Sequence, residues 1–195
     1  MNKVKSLDTK NENRILGLEK YSEIIGIDEV GRGCWAGPVY VAGYLFKKDT
    51  KSIKDVNDSK LISPIKRKYL FNKLKKDIYH IEVGSVNQIN EIGIGKTIEN
   101  LIDKVIKHFS EKRDSIKLPF FIIDGQFSKD FGENTKKIIK ADSTYYSVAA
   151  ASILAKVSRD ELMMDLGITY PEYKLDKHKG YGTKLHREIL SKVGP

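Results

Sequence analysis

An α/β fold, with a mixed central β-sheet flanked by α-helices, is what this sequence predicts, and three observations carry it. Two β-branched apolar segments, 24–28 and 38–46, lie on either side of a glycine-bearing turn and read as a strand hairpin. Segment 119–124 is apolar up to its final aspartate, as a central strand covered on both faces must be. From residue 63 onward, helical and strand patterns alternate, which places helices against a sheet.

The elements follow in order. Ser63–Pro64 is a helix start, with serine at the cap and proline at the first helical position. That helix runs to about residue 76, carrying Ile65, Tyr69, Leu70 and Leu74 at helical spacing. Residues 78–86 form a third strand. Residues 91–109 form an amphipathic helix through Ile94, Ile98, Leu101, Ile102, Val105 and Ile106. Strand 119–124 comes next, then a short fifth strand at 137–140, a long helix at 146–166 and a last helix at 184–192. Residues 1–21 are expected to be a polar tail, frayed or briefly helical, outside a single domain spanning 22–195.

Composition narrows the function. With 40% hydrophobic residues in 195, the chain is long and apolar enough to bury a core. A formal net charge of +9 favours a polyanionic partner, because basic surface releases counterions from phosphates. The single cysteine, Cys34, excludes an intrachain disulfide and a multi-cysteine zinc site. No apolar run approaches a membrane span, and the opening residues carry no secretory pattern, so a cytoplasmic protein is expected; a monomer is expected as well.

The chemistry concentrates at strand ends. The first strand closes on adjacent carboxylates, Asp28 and Glu29, followed by Gly31, Arg32 and Gly33. Carboxylates there can hold Mg²⁺, glycines admit a ligand close to the backbone, and an arginine can meet a phosphate. Asp124 repeats the design at the end of 119–124, just before Gly125. Asp142 precedes the long helix, whose start (Ser147 to Lys156) is rich in small residues and can lie tight against a sheet. A helix start held there can bring Asp142 beside the strand ends and let Ser147 touch a phosphate. Four converging carboxylates repel one another unless cations neutralise them, which predicts two divalent ions and hydrolysis of a phosphodiester. Gly93–Ile94–Gly95–Lys96–Thr97 looks like the end of a phosphate-binding loop, but the required earlier glycine is Asn90, so it reads as a helix start.

Taken together, these motifs resemble type 2 ribonuclease H, ribonuclease HII. The resemblance rests on residues 26–39, Asn57–Asp58–Ser59–Lys60, Asp124–Gly125, Lys140–Ala141–Asp142, residues 147–160 and His178–Lys179–Gly180–Tyr181–Gly182–Thr183, in that order. It implies a ribonuclease H-like fold and a metal-dependent endoribonuclease. The substrates implied are RNA/DNA hybrids and ribonucleotides embedded in duplex DNA, cut to leave 3′-hydroxyl and 5′-phosphate ends. It further implies that Asp28, Glu29, Asp124 and Asp142 bind Mg²⁺ or Mn²⁺, and that the backbone of Gly31, Arg32 and Gly33 reads the ribose 2′-hydroxyl. Tyr181 would stack on a sugar beside the cleaved bond, and Lys60 would contact phosphate. Arg32 matches the type 2 pattern, where type 3 relatives carry threonine. Cys34–Trp35 departs from the usual Pro-Leu-like pair, which places a bulky ring beside the site. His178 is expected to buttress the turn before Tyr181, and Arg159–Asp160 to form an ion pair late in the long helix.

Overall fold

The computed structural model describes residues 6–18, 20–111 and 117–195. A five-stranded sheet in the order β3-β2-β1-β4-β5 is built from β1 (Tyr21–Val30), β2 (Val39–Phe46), β3 (Tyr79–Gly84), β4 (Leu118–Asp124) and β5 (Thr135–Ile138). β1 pairs antiparallel with β2, and β2 with β3, while β1–β4 and β4–β5 are parallel. The mixed sheet is therefore as expected. Its helices are α1 (Lys10–Leu16), α2 (Pro64–Leu74), α3 (Val86–Ile92), α4 (Ile94–Glu111), α5 (Tyr146–Thr169), α6 (Leu175–His178) and α7 (Lys184–Val193).

Both faces of the sheet are covered, which is why β1 and β4 read as unbroken apolar runs. On one face Ile25, Ile27, Phe121 and Ile123 meet the apolar stripe of α4, formed by Ile98, Leu101, Ile102, Val105 and Phe109. On the other, Ile24, Ala42, Tyr44 and Ile122 pack against α5 and α2. Each buried Leu or Ile contributes about 1.5–3 kcal/mol by leaving water. The small residues of α5 let it ride directly on β1: a Cβ at Gly26 would fall 2.2 Å from the Ser147 carbonyl carbon. Alanine at position 26 would therefore push the helix off the strand.

Two expectations change. The helix expected at 91–109 is α4, but a separate helix, α3, precedes it where the end of a strand and a connection were expected. Ser85 and Gln88 form a reciprocal cap that starts α3, and Gly93, at φ +81°, ends it before α4 begins. The N-terminal segment is not a tail outside the fold, although residues 1–5 and 19 lie outside the described residues. Leu7, Ile15 and Leu16 pack on the core, and Glu12 of α1 is completely buried. The physical reason is that this short polar helix carries one apolar edge and one carboxylate, both turned inward. No helix among the described residues is long and apolar enough to cross a membrane.

Candidate metal centre and nucleic-acid interface

Parallel pairing of β1 and β4 aligns Ile27 with Ile123, so the next residue on each strand is a carboxylate, Asp28 and Asp124. Beyond β5, Lys140 takes a left-handed conformation and turns the chain into a single 3₁₀ turn carrying Asp142. That turn is tied to the strand end, since the Ala141 amide donates to Asp124 Oδ1 at 2.8 Å. The outcome is one oxygen each from Asp28, Asp124 and Asp142, all within 4.8 Å of one another.

Electrostatics show what this arrangement costs. Burial, then the Glu29, Asp124 and Asp142 charges, hold the Asp28 carboxyl well above the usual range, while a hydrogen bond from Ser152 pulls it back. Burial and the Asp58 and Asp124 carboxylates push Asp142 up to about 6, against the pull of Lys60. Such a cluster of hard oxygen donors suits a divalent cation, which turns mutual repulsion into attraction.

Glu29 stands apart from the three. Its amide donates to Asp28 Oδ1 at 2.7 Å, while its carboxylate faces Arg32 at 3.9 Å across the rim. Burial raises its pKa, Arg32 and Lys60 lower it, and Asp124 raises it, so it still lies within the field of the cluster. Lys60 is exposed, on a 3₁₀ turn capped by Asp58, whose Oδ1 accepts from the Lys60 amide. Asp58, read at first only as part of a phosphate-contact motif, is an acidic neighbour of Asp142. The turn is anchored by Ser59, whose hydroxyl meets that of Ser152 at 2.9 Å and whose carbonyl accepts from Arg67.

The glycine loop divides its labour. Gly31 sits at φ +110°, and a Cβ there would come within 2.8 Å of both Arg159 Nε and the Pro38 carbonyl. A Cβ at Gly33 would meet nothing within 4 Å, so that residue borders open space. Arg32 extends over the Phe127 ring. Cys34 bridges to Tyr181 in a short antiparallel contact, and Trp35 donates its amide to the Gly180 carbonyl. Trp35 itself is 58% exposed, beside a groove that it lines with Arg32, Asn90 and Ile94. The Tyr181 ring lies under the Lys156 ammonium at 4.9 Å, and burial, with Cys34 next, pushes its hydroxyl up to about 12.

Three expectations about supporting residues are settled by their contacts. His178 does buttress its turn, donating from Nε2 to the Tyr173 carbonyl and accepting the Gly180 amide at Nδ1. Arg159 does not pair with Asp160. It is wholly buried and donates to the carbonyls of Pro38, Lys179 and Ala36, while Asp160 pairs with Lys156 and Arg67. Ser147 does not face a ligand: it is fully buried, and its amide and hydroxyl both donate to Glu12 Oε1. An arginine or glutamate far along the chain from its partners leaves no spacing signal that would have found these contacts.

A mixed sheet that delivers carboxylates from its two central parallel strands, beside an open glycine loop, defines a ribonuclease H-type fold. The structure is similar to that of ribonuclease H2 from Pyrococcus horikoshii (TM-score 0.69, 25% identity, 87% of this chain and 86% of that one). It is also similar in fold to Bst ribonuclease HIII solved with Mn²⁺ (TM-score 0.70, 21% identity, 90% of this chain and 64% of that one). In sequence, ribonuclease HII of Caldicellulosiruptor bescii is 40% identical over 186 residues, covering 94% of this chain and 87% of the relative. The chain belongs to the ribonuclease HII family, whose family model matches residues 25–195. It is thus an enzyme, an endonuclease of the type 2 ribonuclease H class acting on RNA/DNA substrates.

Proposed function

We propose that the enzyme hydrolyses RNA in hybrids, and ribonucleotides embedded in duplex DNA, by a metal-dependent reaction leaving 3′-hydroxyl and 5′-phosphate ends. The observation that carries this reading is the convergence of Asp28, Asp124 and Asp142 within 4.8 Å, next to a glycine loop that is open at Gly33. These three aspartates, with Glu29 at the rim, would hold two Mg²⁺ or Mn²⁺ ions. Such ions, when bound, make water a stronger nucleophile near neutral pH and offset charge on the leaving oxygen.

The chain's own residues supply position and selectivity. Backbone groups of Gly31–Gly33 reach the ribose 2′-hydroxyl, the only group that marks RNA at a single site in a DNA duplex. The Tyr181 ring packs on a neighbouring sugar, and Lys60 and Arg32 meet phosphates. Because water attacks and the 2′-hydroxyl does not, no cyclic phosphate forms.

The deciding experiment is cleavage of an end-labelled DNA duplex containing one ribonucleotide, in Mg²⁺, Mn²⁺ or EDTA, with product ends mapped. Expected is a cut only at the ribonucleotide, only with metal, giving a 3′ end that a polymerase extends. A 2′,3′-cyclic phosphate, or undiminished cleavage in EDTA, overturns the reading.

A further inference from the structure

Glu12 lies before the residues that the family model matches, yet among the described residues of the N-terminal segment it is the one carboxylate buried to zero exposure. Its Oε1 accepts from the Ser147 amide at 2.9 Å and from the Ser147 hydroxyl at 3.1 Å, and its Oε2 accepts no hydrogen bond among the described residues. Tyr145, the residue that caps α5, offers no side-chain cap of its own. The Ser147 amide, in the first turn of this 24-residue helix, is therefore capped from another element, by a carboxylate set at the positive end of the helix dipole. Next to it, Asn11 Nδ2 donates to the Thr144 carbonyl at 3.0 Å, a second tie between α1 and the turn leading into α5.

What this cap holds is close to the chemistry. Ser147 stands five residues after Asp142, and the intervening chain has no slack: Thr144 and Tyr145 donate their amides back to the Ala141 carbonyl. On its other side, the first turn of α5 rests on Gly26, two residues before Asp28. Its second turn carries Ser152, whose hydroxyl meets that of Ser59 at 2.9 Å. The start of α5 is thus clamped between α1 and β1, and through it the spacing of Asp142 and Asp28 is set. A buried carboxylate with one oxygen unpartnered is costly, and a cap on an exposed helix end would not need it.

We propose that Glu12 is a positioning residue for the metal centre: it caps α5 from α1 and so keeps Asp142 at ligating distance from Asp28 and Asp124. The proposal rests on the reading of Asp142 as a metal ligand, and its test separates the two. Mn²⁺ binding to the protein without nucleic acid, followed by electron paramagnetic resonance, is compared for wild type, Glu12→Ala, Glu12→Gln and Asn11→Ala. Glu12→Ala is expected to weaken Mn²⁺ roughly tenfold, the low end for residues that orient metal ligands. Glutamine keeps an acceptor for Ser147 and should restore affinity to within about threefold, losing only the charge on the dipole. The Michaelis constant for duplex should stay unchanged, a split that general loosening of the fold would not produce. Should Glu12→Ala not fold, Asn11→Ala, which breaks only the tie to Thr144, is expected to weaken Mn²⁺ about two- to threefold. Wild-type Mn²⁺ affinity in every folded variant overturns the role of Glu12 and leaves the metal reading intact. A wild-type chain that binds no Mn²⁺ overturns both.

Discussion

Arg159 donates to the Lys179 carbonyl at 2.8 Å, from a guanidinium that no solvent reaches. Through the same planar group it holds the carbonyls of Pro38 and Ala36, so the glycine loop and the Tyr181 turn are joined by one side chain. Gly180 is the matching concession, at φ +82°, where a Cβ would sit 2.1 Å from the Ala36 oxygen. The interface proposed for ribose and sugar is thus two loops stitched over α5.

Arg159→Lys should break that stitch. An ammonium on a flexible stem cannot serve three carbonyls arranged for a guanidinium, and a buried carbonyl left unpaired costs roughly 1–3 kcal/mol. Urea unfolding should show a loss of this size, and cleavage of a hybrid should show a raised Michaelis constant. Unchanged values for both would mean the two loops hold their positions without Arg159.

Asp124→Asn should abolish turnover, by at least about 100-fold, without unfolding the protein. Asparagine Oδ1 can still accept the Ala141 amide, and removing one of three crowded charges relieves repulsion. Thermal unfolding in EDTA is expected at or above the wild-type temperature. A near-normal rate would remove Asp124 from the metal set.

Stability without metal should fall as pH rises from 4 to 7. An acid whose pKa is higher in the folded chain than in the unfolded chain holds its proton more tightly when folded. The contribution of Asp142 is therefore complete below its ordinary value of 3.8 and is lost as pH passes about 6. Burial and its neighbours raise Asp28 in the same direction. Because metal binds the deprotonated carboxylates, added Mn²⁺ should raise the unfolding temperature at pH 7.5 and not at pH 5. Melting curves of wild type and Asp142→Asn, with EDTA and with Mn²⁺, check this; the variant should show a shallower decline and a smaller response to Mn²⁺.

The two glycines of the loop should separate folding from recognition. Gly31→Ala forces a side chain into φ +110° and against Pro38 and Arg159, and is expected to cost roughly 1–3 kcal/mol of stability. Gly33→Ala meets nothing in the protein, so it should fold normally and lose cleavage at a single embedded ribonucleotide. Full activity with ribose selectivity intact in Gly33→Ala would refute backbone readout at that residue.

Tyr181→Ala should lose roughly 1–3 kcal/mol of binding or transition-state stabilisation, the scale of stacking on nucleic acid. Phenylalanine should recover most of it, since only the hydroxyl, which lies against Cys34, is removed. Equal defects in both variants would assign the role to the hydroxyl instead. Binding of a non-cleaved duplex and single-turnover rates distinguish these outcomes.

Much of this molecule was legible along the chain because the signals are local. The apolar run before Asp28 and the one before Asp124 each name a two-faced strand with a carboxylate at its end, and parallel pairing needs only one offset to bring the two together. The cap formed by Ser85 and Gln88 was equally local, a serine followed three residues later by glutamine, and it marks a helix start where a strand end and a connection were expected.

Residue type and period by themselves determined the layered sheet, the carboxylates at the strand ends and the position of the glycine loop, because each follows from neighbours a few residues apart. Only the tertiary structure decided the rest. It turned Ser147 away from any ligand and onto Glu12, 135 residues earlier in the chain, and it drew a polar N-terminal helix into the core. It set Arg159 on three carbonyls rather than on Asp160, and Glu29 at the rim rather than among the aspartates. Buried polar groups take whichever partner the packed elements present, and that choice is made by the distance between elements, which no periodicity along the chain encodes.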